Sequence, residues 1–81
     1  MNFFYVYILQ SQRGPERFYT GFTEELQTRL NAHNSGNVPH TAKFRPWRIK
    51  TEVAFTVRER AVEFERHLKS PSGRAFTKKR L

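Results

Sequence analysis

The run Tyr5-Val6-Tyr7-Ile8-Leu9 leaves this chain little choice of local structure. From Phe3 to Leu9 every residue is aromatic, β-branched or Leu, with no Gly or Pro. That composition predicts a mostly buried β-strand. A second run, Phe18-Tyr19-Thr20-Gly21, answers it. Between them lies Ser11-Gln12-Arg13-Gly14-Pro15-Glu16, a polar segment with adjacent Gly and Pro that reads as a turn. Strands joined by a short loop pair antiparallel. Tyr7 and Tyr19 are therefore expected close together on neighbouring strands.

A helix is expected next, over residues 23–36. Thr23 suits its N-cap, and Glu24 and Glu25 suit the positive end of the helix dipole. Gly36 suits the position just past its end. Leu26, Leu30 and His33 fall on the core-facing stripe. Arg29 lies four residues before His33, so both stand at one edge of that apolar face.

Residues 37–48 show neither helical nor strand period and read as a long loop. Such loops are usually functional or mobile. Its aromatics and cations suit nucleic acid, with phosphates on charges and bases on rings. The alternative is that Phe44 and Trp47 pin the loop to the core. Ile49 to Phe55 reads as a third strand, with Ile49, Thr51, Val53 and Phe55 on one face. Thr56-Val57-Arg58-Glu59 fits a capping box, opening a helix with a stripe of Val57, Ala61, Phe64 and Leu68. Glu65 borders that stripe, while Glu63 points further round. Pro71 and Gly73 end the helix, and the basic segment 73–81 is a last short helix or a tail. The order β-β-α-β-α(-α) implies a small α+β fold: a three-stranded mixed or antiparallel sheet flanked by helices.

The chain has 81 residues, which suits one domain over 1–81 with a small core. Its 15 Lys and Arg against 7 Asp and Glu leave a net charge of +8. That excess favours a polyanion partner, nucleic acid or an anionic membrane surface, over a charge that only keeps the protein soluble. No Cys is present, so disulfides and thiolate zinc sites are excluded. Phe3 to Leu9 is too short to span a membrane and lacks signal-peptide flanks. A cytoplasmic location is the expectation.

The scan for chemistry is mostly negative. There is no Gly-rich phosphate loop, no metal-ligand spacing and no nucleophile elbow. What remains is Tyr, Arg, His and one well-placed carboxylate on a basic protein. Phosphodiester hydrolysis uses such groups: one to orient water or accept its proton, a cation for developing charge, and commonly a divalent metal. On its own this inventory also fits an ordinary basic domain.

Taken in order, Tyr5-Val6-Tyr7, Tyr19-Thr20-Gly21, Arg29, His33, His40 and Glu65 resemble the GIY-YIG nuclease family. That family includes homing endonucleases, some restriction enzymes and the incision module of bacterial excision repair. The likeness covers about residues 3–70 and is strongest to short stand-alone bacterial members, through Phe18-Tyr19-Thr20-Gly21-Phe22-Thr23 and Arg45-Pro46-Trp47. It implies that Tyr7 and Tyr19 act at the attacking water and that Arg29 neutralises the scissile phosphate. His33 matches a further active-site position, and Glu65 would hold a single Mg²⁺ or Mn²⁺. Tyr5 and Gly21 are motif positions. Tyr5 stands in place of the first motif's Gly, and Thr20 in place of the second motif's Ile or Val. The Asn that many members carry near the end of the module has no clear counterpart; Arg74 and Thr77 stand in that region.

The implied activity is metal-dependent DNA hydrolysis on branched, damaged or single-stranded forms, with a role in repair or recombination. His40, Lys43, Arg45, Arg48, Lys69 and Arg74 are the expected nucleic-acid contacts. RNA stays open as a substrate, whereas a membrane partner and a small-molecule cofactor are not expected. The alternative is a non-catalytic nucleic-acid-binding module on the same fold. A weaker third reading is a domain that docks on a larger repair or RNA-processing protein.

Overall fold

The computed structural model describes residues 2–81. Strand β1 (Phe4–Ser11) is central in an antiparallel sheet of order β2-β1-β3, flanked by β2 (Phe18–Thr23) and β3 (Trp47–Phe55). Helix α1 (Leu26–Asn34) and the short α2 (Pro39–Ala42) lie between β2 and β3 in sequence. Helices α3 (Arg58–Leu68) and α4 (Pro71–Arg80) follow β3. This is the α+β sheet-and-helix arrangement expected, with every strand pair antiparallel.

Residues 6–9 of β1 are all buried because the strand feeds two cores, one on each face. Val6 and Ile8 pack with Ala61 and Leu68 of α3, with Phe4, Phe22, Phe55 and Phe64 around them. Tyr7 and Leu9 point the other way, to Trp47, Leu26, Leu30 and Phe44. A central strand covered on both faces has no polar alternation, which is why the run reads as continuously apolar.

Four local expectations are corrected. Thr23 ends β2 and does not cap a helix; its Oγ1 accepts from the Glu25 N–H at 3.0 Å, and α1 begins only at Leu26. Glu24 and Glu25 thus precede the helix. The capping box at Thr56 does not form: Val57 holds the N-cap position without a side-chain cap, and Val57 itself is exposed. Residues 37–48 are not all loop, since Pro39 starts a helical turn and Trp47 opens β3. Gly73 lies inside α4, where its N–H is capped by Ser70 Oγ; a Cβ there would run into the His67 carbonyl.

The alternation of β3 is also broken. Leu9 pairs with Ile49 and Ile8 with Thr51, so Lys50 is an extra residue, a β-bulge. Ile49 therefore shares the Tyr7 and Leu9 face, whereas Thr51, Val53 and Phe55 share the Val6 and Ile8 face. One inserted residue flips every side chain beyond it.

Candidate active site

Tyr7 projects from β1 across its cross-strand partner Gly21. A Cβ on residue 21 would sit 2.5 Å from Tyr7 Cζ and 3.0 Å from Cε1, so only Gly leaves room for the ring. Leu26 and Leu30 dock α1 on this face and turn His33 inward. Gly36, at φ +83°, then ends the helix, and Asn37 N–H returns to the Ala32 carbonyl at 3.1 Å.

The loop that follows is bolted to the core. Asn34 Nδ2 donates to the Trp47 carbonyl at 3.0 Å, and its Oδ1 accepts from Trp47 N–H at 2.5 Å. Trp47 Nε1 donates to the Thr41 carbonyl at 2.8 Å. Phe44 packs on the same cluster, so both loop aromatics pin the segment. The consequence is a fixed place for Thr41, buried against His33.

These contacts build one polar chain inside an apolar face. Tyr7 OH lies 3.1 Å from His33 Nε2, and His33 Nδ1 lies 2.8 Å from Thr41 Oγ1. Thr41 Oγ1 donates to the Val38 carbonyl at 3.3 Å, so it accepts from His33 Nδ1–H. At the other end, the Arg29 guanidinium lies near enough to the Tyr7 hydroxyl to favour its ionised form. The Thr41 end of the chain assigns the tautomer, with Nδ1 protonated and Nε2 accepting. The Tyr7 hydrogen then goes to His33 Nε2. The Tyr19 ring closes the site, its centroid 4.8 Å from His33 and 6.4 Å from Tyr7.

The electrostatics follow from this packing. Burial raises the Tyr7 phenol above its ordinary value; the Arg29 donor opposes the rise, and Tyr19 and Glu65 add to it. Burial, reinforced by the Arg29 charge, pulls the His33 imidazole below its ordinary value. The Tyr7 hydroxyl in turn keeps Arg29 more firmly charged. Near neutral pH the site thus holds a protonated phenol, a neutral imidazole and a cation.

Glu65 is half-buried at the edge of α3, and its Oε2 lies 3.2 Å from Lys69 Nζ. Among the described residues no three His, Asp or Glu side chains gather as metal ligands. A single partly open carboxylate fits Mg²⁺ or Mn²⁺, which keep several waters and take substrate phosphate oxygens.

The structure therefore brings Tyr7, Tyr19, Arg29 and His33 together over Gly21, with Glu65 close enough for its charge to reach Tyr7. Tyr5 stays in mid-strand, paired with Thr23 and Ala54. The six expected nucleic-acid contacts are all exposed but do not share one surface. Lys69 and Arg74 share a groove with Tyr19; His40, Lys43, Arg45 and Arg48 do not line it. Arg48 instead donates to Gln10 on β1. Thr41 was not expected in the site. Its only sequence signal is a hydroxyl eight residues after His33, behind a Pro that starts a helical turn.

Comparison with known proteins agrees with the geometry. Residues 3–80 match the family described as the GIY-YIG catalytic domain. The chain is 39% identical over 71 residues to the structure-specific endonuclease subunit SLX1 of Scheffersomyces stipitis, covering 79% of this chain and 21% of that protein. It therefore spans about a fifth of that relative's length. It is 35% identical over 71 residues to the UPF0213 protein BH0048 of Halalkalibacterium halodurans, covering 86% of this chain and 73% of that one. The solution NMR structure of BH0048 superposes with a TM-score of 0.54 at 32% identity, over 95% of this chain and 82% of that one. The chain belongs to the GIY-YIG family, on the side of its short bacterial proteins.

Proposed function

We propose that this protein is an endonuclease that hydrolyses DNA phosphodiester bonds at the Tyr7, Tyr19, Arg29 and His33 cluster. The observation that carries the reading is the polar chain from Tyr7 through His33 to Thr41, with the Arg29 charge beside Tyr7, built into a face that packing alone would make apolar. Arg29 takes the scissile phosphate and stabilises the charge that grows as it is attacked. In the free protein Tyr7 is buried; a bound phosphate that draws the nearby Arg29 guanidinium outward clears a path for water.

The attacking water gives its proton to Tyr7 while the Tyr7 proton passes to His33 Nε2. No free phenolate is needed, which matters because burial disfavours one. The water oxygen bonds to phosphorus, the bond to the leaving sugar oxygen breaks, and that oxygen takes a proton from solvent. Tyr19, half-buried at the mouth, orients the water. Glu65 would hold Mg²⁺ or Mn²⁺, which when bound supplies positive charge to the phosphate oxygens. Branched or damaged DNA is the proposed substrate, since one relative carries the name of a structure-specific endonuclease subunit. A place in repair or recombination follows from that proposal.

The test is single-turnover cleavage of a branched DNA, with Mg²⁺, Mn²⁺ or chelator, by wild type, Arg29→Ala, Tyr7→Phe and Tyr19→Phe. Arg29→Ala is expected to lose ~10²–10³ in rate. Tyr7→Phe is expected to lose ~10²–10⁴ in rate while staying folded, with a lowered melting temperature because buried His33 Nε2 loses its donor. DNA affinity should fall with salt at a log–log slope of roughly −3 to −6, as about four to six phosphates are neutralised. Wild-type rates in both Arg29→Ala and Tyr7→Phe would overturn the assignment.

A further inference from the structure

The face of the sheet that carries α3 and α4 holds a groove of about 820 Å³, running from the start of β2 across Ile8 to the bulge at Lys50. Five cations line it, Arg17, Lys50, Lys69, Arg74 and Lys78, against one acid, Glu16. Lys69 is engaged with Glu65, and Lys50 donates to the Leu81 carbonyl. Arg74 and Lys78 stand four apart on α4 and are both exposed, so they present two charges along one side of the groove. At its other side Phe18 is 51% exposed, on the sheet face opposite the one to which Tyr19 turns its ring. The Lys50 ammonium lies 6.0 Å from the Phe18 ring centroid, and Ile8 and Leu68 add apolar surface.

A duplex cannot use such a ring, because its bases already stack on one another. An unpaired strand can, since every free base has a face to place on an aromatic while its phosphates follow the cations. We propose that this groove holds an unpaired nucleic-acid strand, with one base on Phe18 and phosphates on Arg74 and Lys78, whose continuation reaches the Tyr7 face around the edge strand β2. The proposal rests on the phosphodiester reading for its ligand class and assigns that substrate a single-stranded arm.

The experiment is equilibrium binding in chelator, so that no cleavage enters. The probes are fluorescent oligo(dT) of about twelve nucleotides, an abasic strand of equal length and a blunt duplex. Phe18→Ala should weaken oligo(dT) binding about fivefold to a hundredfold, with less than about a twofold change for the abasic strand and duplex. Phe18→Leu should behave like Phe18→Ala, because it keeps apolar area without a stacking face. The double variant Arg74→Gln, Lys78→Gln should reduce the single-strand salt slope by about 1.4. Equal loss on all three probes, full rescue by Phe18→Leu, or an unchanged salt slope would each overturn the groove. Cleavage of branched DNA by the same wild-type protein would leave the nuclease reading standing in that case. A selective Phe18 effect in a protein that does not cut would sink the nuclease reading alone.

Discussion

Thr41→Val is the perturbation that most directly probes the buried chain. Val keeps nearly the shape of Thr and removes the oxygen that accepts from His33 Nδ1–H at 2.8 Å. His33 is 0% and Thr41 1% exposed, so no water replaces that acceptor. Leaving a buried donor unpaired costs about 1–3 kcal/mol. For a chain of this size each kcal/mol lowers the melting temperature by about 4–8 °C. The imidazole has one escape, to move its proton to Nε2. That tautomer faces Tyr7 with a donor, and the Tyr7 hydrogen loses its acceptor. Thr41→Val is thus expected to lower the melting temperature by about 5–20 °C. It should also shift the ¹⁵N resonances of the His33 ring to the opposite tautomer and slow cleavage by ~10²-fold or more. Thr41→Ser should restore the tautomer and the rate. A Thr41→Val protein with the wild-type ¹⁵N pattern and rate would refute the reasoning.

Three further outcomes follow from the same geometry. Mn²⁺ titrated into Glu65→Gln, followed by relaxation of solvent protons, should show no binding where wild type binds weakly, and equal binding would move the ion elsewhere. Gly21→Ala should destabilise by about 1–3 kcal/mol, because the added Cβ meets a Tyr7 ring that His33 holds in place; an unchanged denaturation midpoint would contradict that overlap. His33 is held below its ordinary value, so the unfolded chain binds more protons below about pH 6.5. Stability should therefore fall as pH drops from about 6.5 toward the folded value and stay level above it, and His33→Gln should remove that slope.

That the four candidate residues would be neighbours was legible in the sequence for a physical reason, while their reading as a site came from the family resemblance. Tyr7, Tyr19, Arg29 and His33 are positioned by period alone, two strands at one turn's separation and a helix at i and i+4. Those spacings survive small errors in where an element begins. The helix start at Leu26 and the uncapped Val57 depend on single backbone hydrogen bonds that neighbouring Thr or Glu residues imitate in sequence. The bulge at Lys50 has no signature in an alternating strand; it exists because Ile49 must reach the Tyr7 cluster while Val53 reaches the other core. Thr41 was hidden because its role comes from a contact with His33 that the loop makes only after Trp47 and Asn34 have fastened it.

The Arg29 charge ties substrate binding to base strength. In the free protein that charge helps hold His33 below its ordinary value and so works against His33 as a proton acceptor. A phosphate seated on Arg29 offsets the positive charge and adds a negative one of its own. Both changes favour imidazolium, so His33 should become a better acceptor only when the scissile group is in place. Burial, the larger cause of the depression, is unaffected by this, so the rise is partial. The check is an NMR titration of the His33 ring against pH, in chelator, with and without saturating oligo(dT). The expected result is an upward shift on binding that Arg29→Ala abolishes, with the starting value of that variant above that of free wild type. A His33 value that does not move on binding, or that moves equally in Arg29→Ala, would separate the two groups. It would leave Arg29 as a phosphate clamp with no hold on the proton chain.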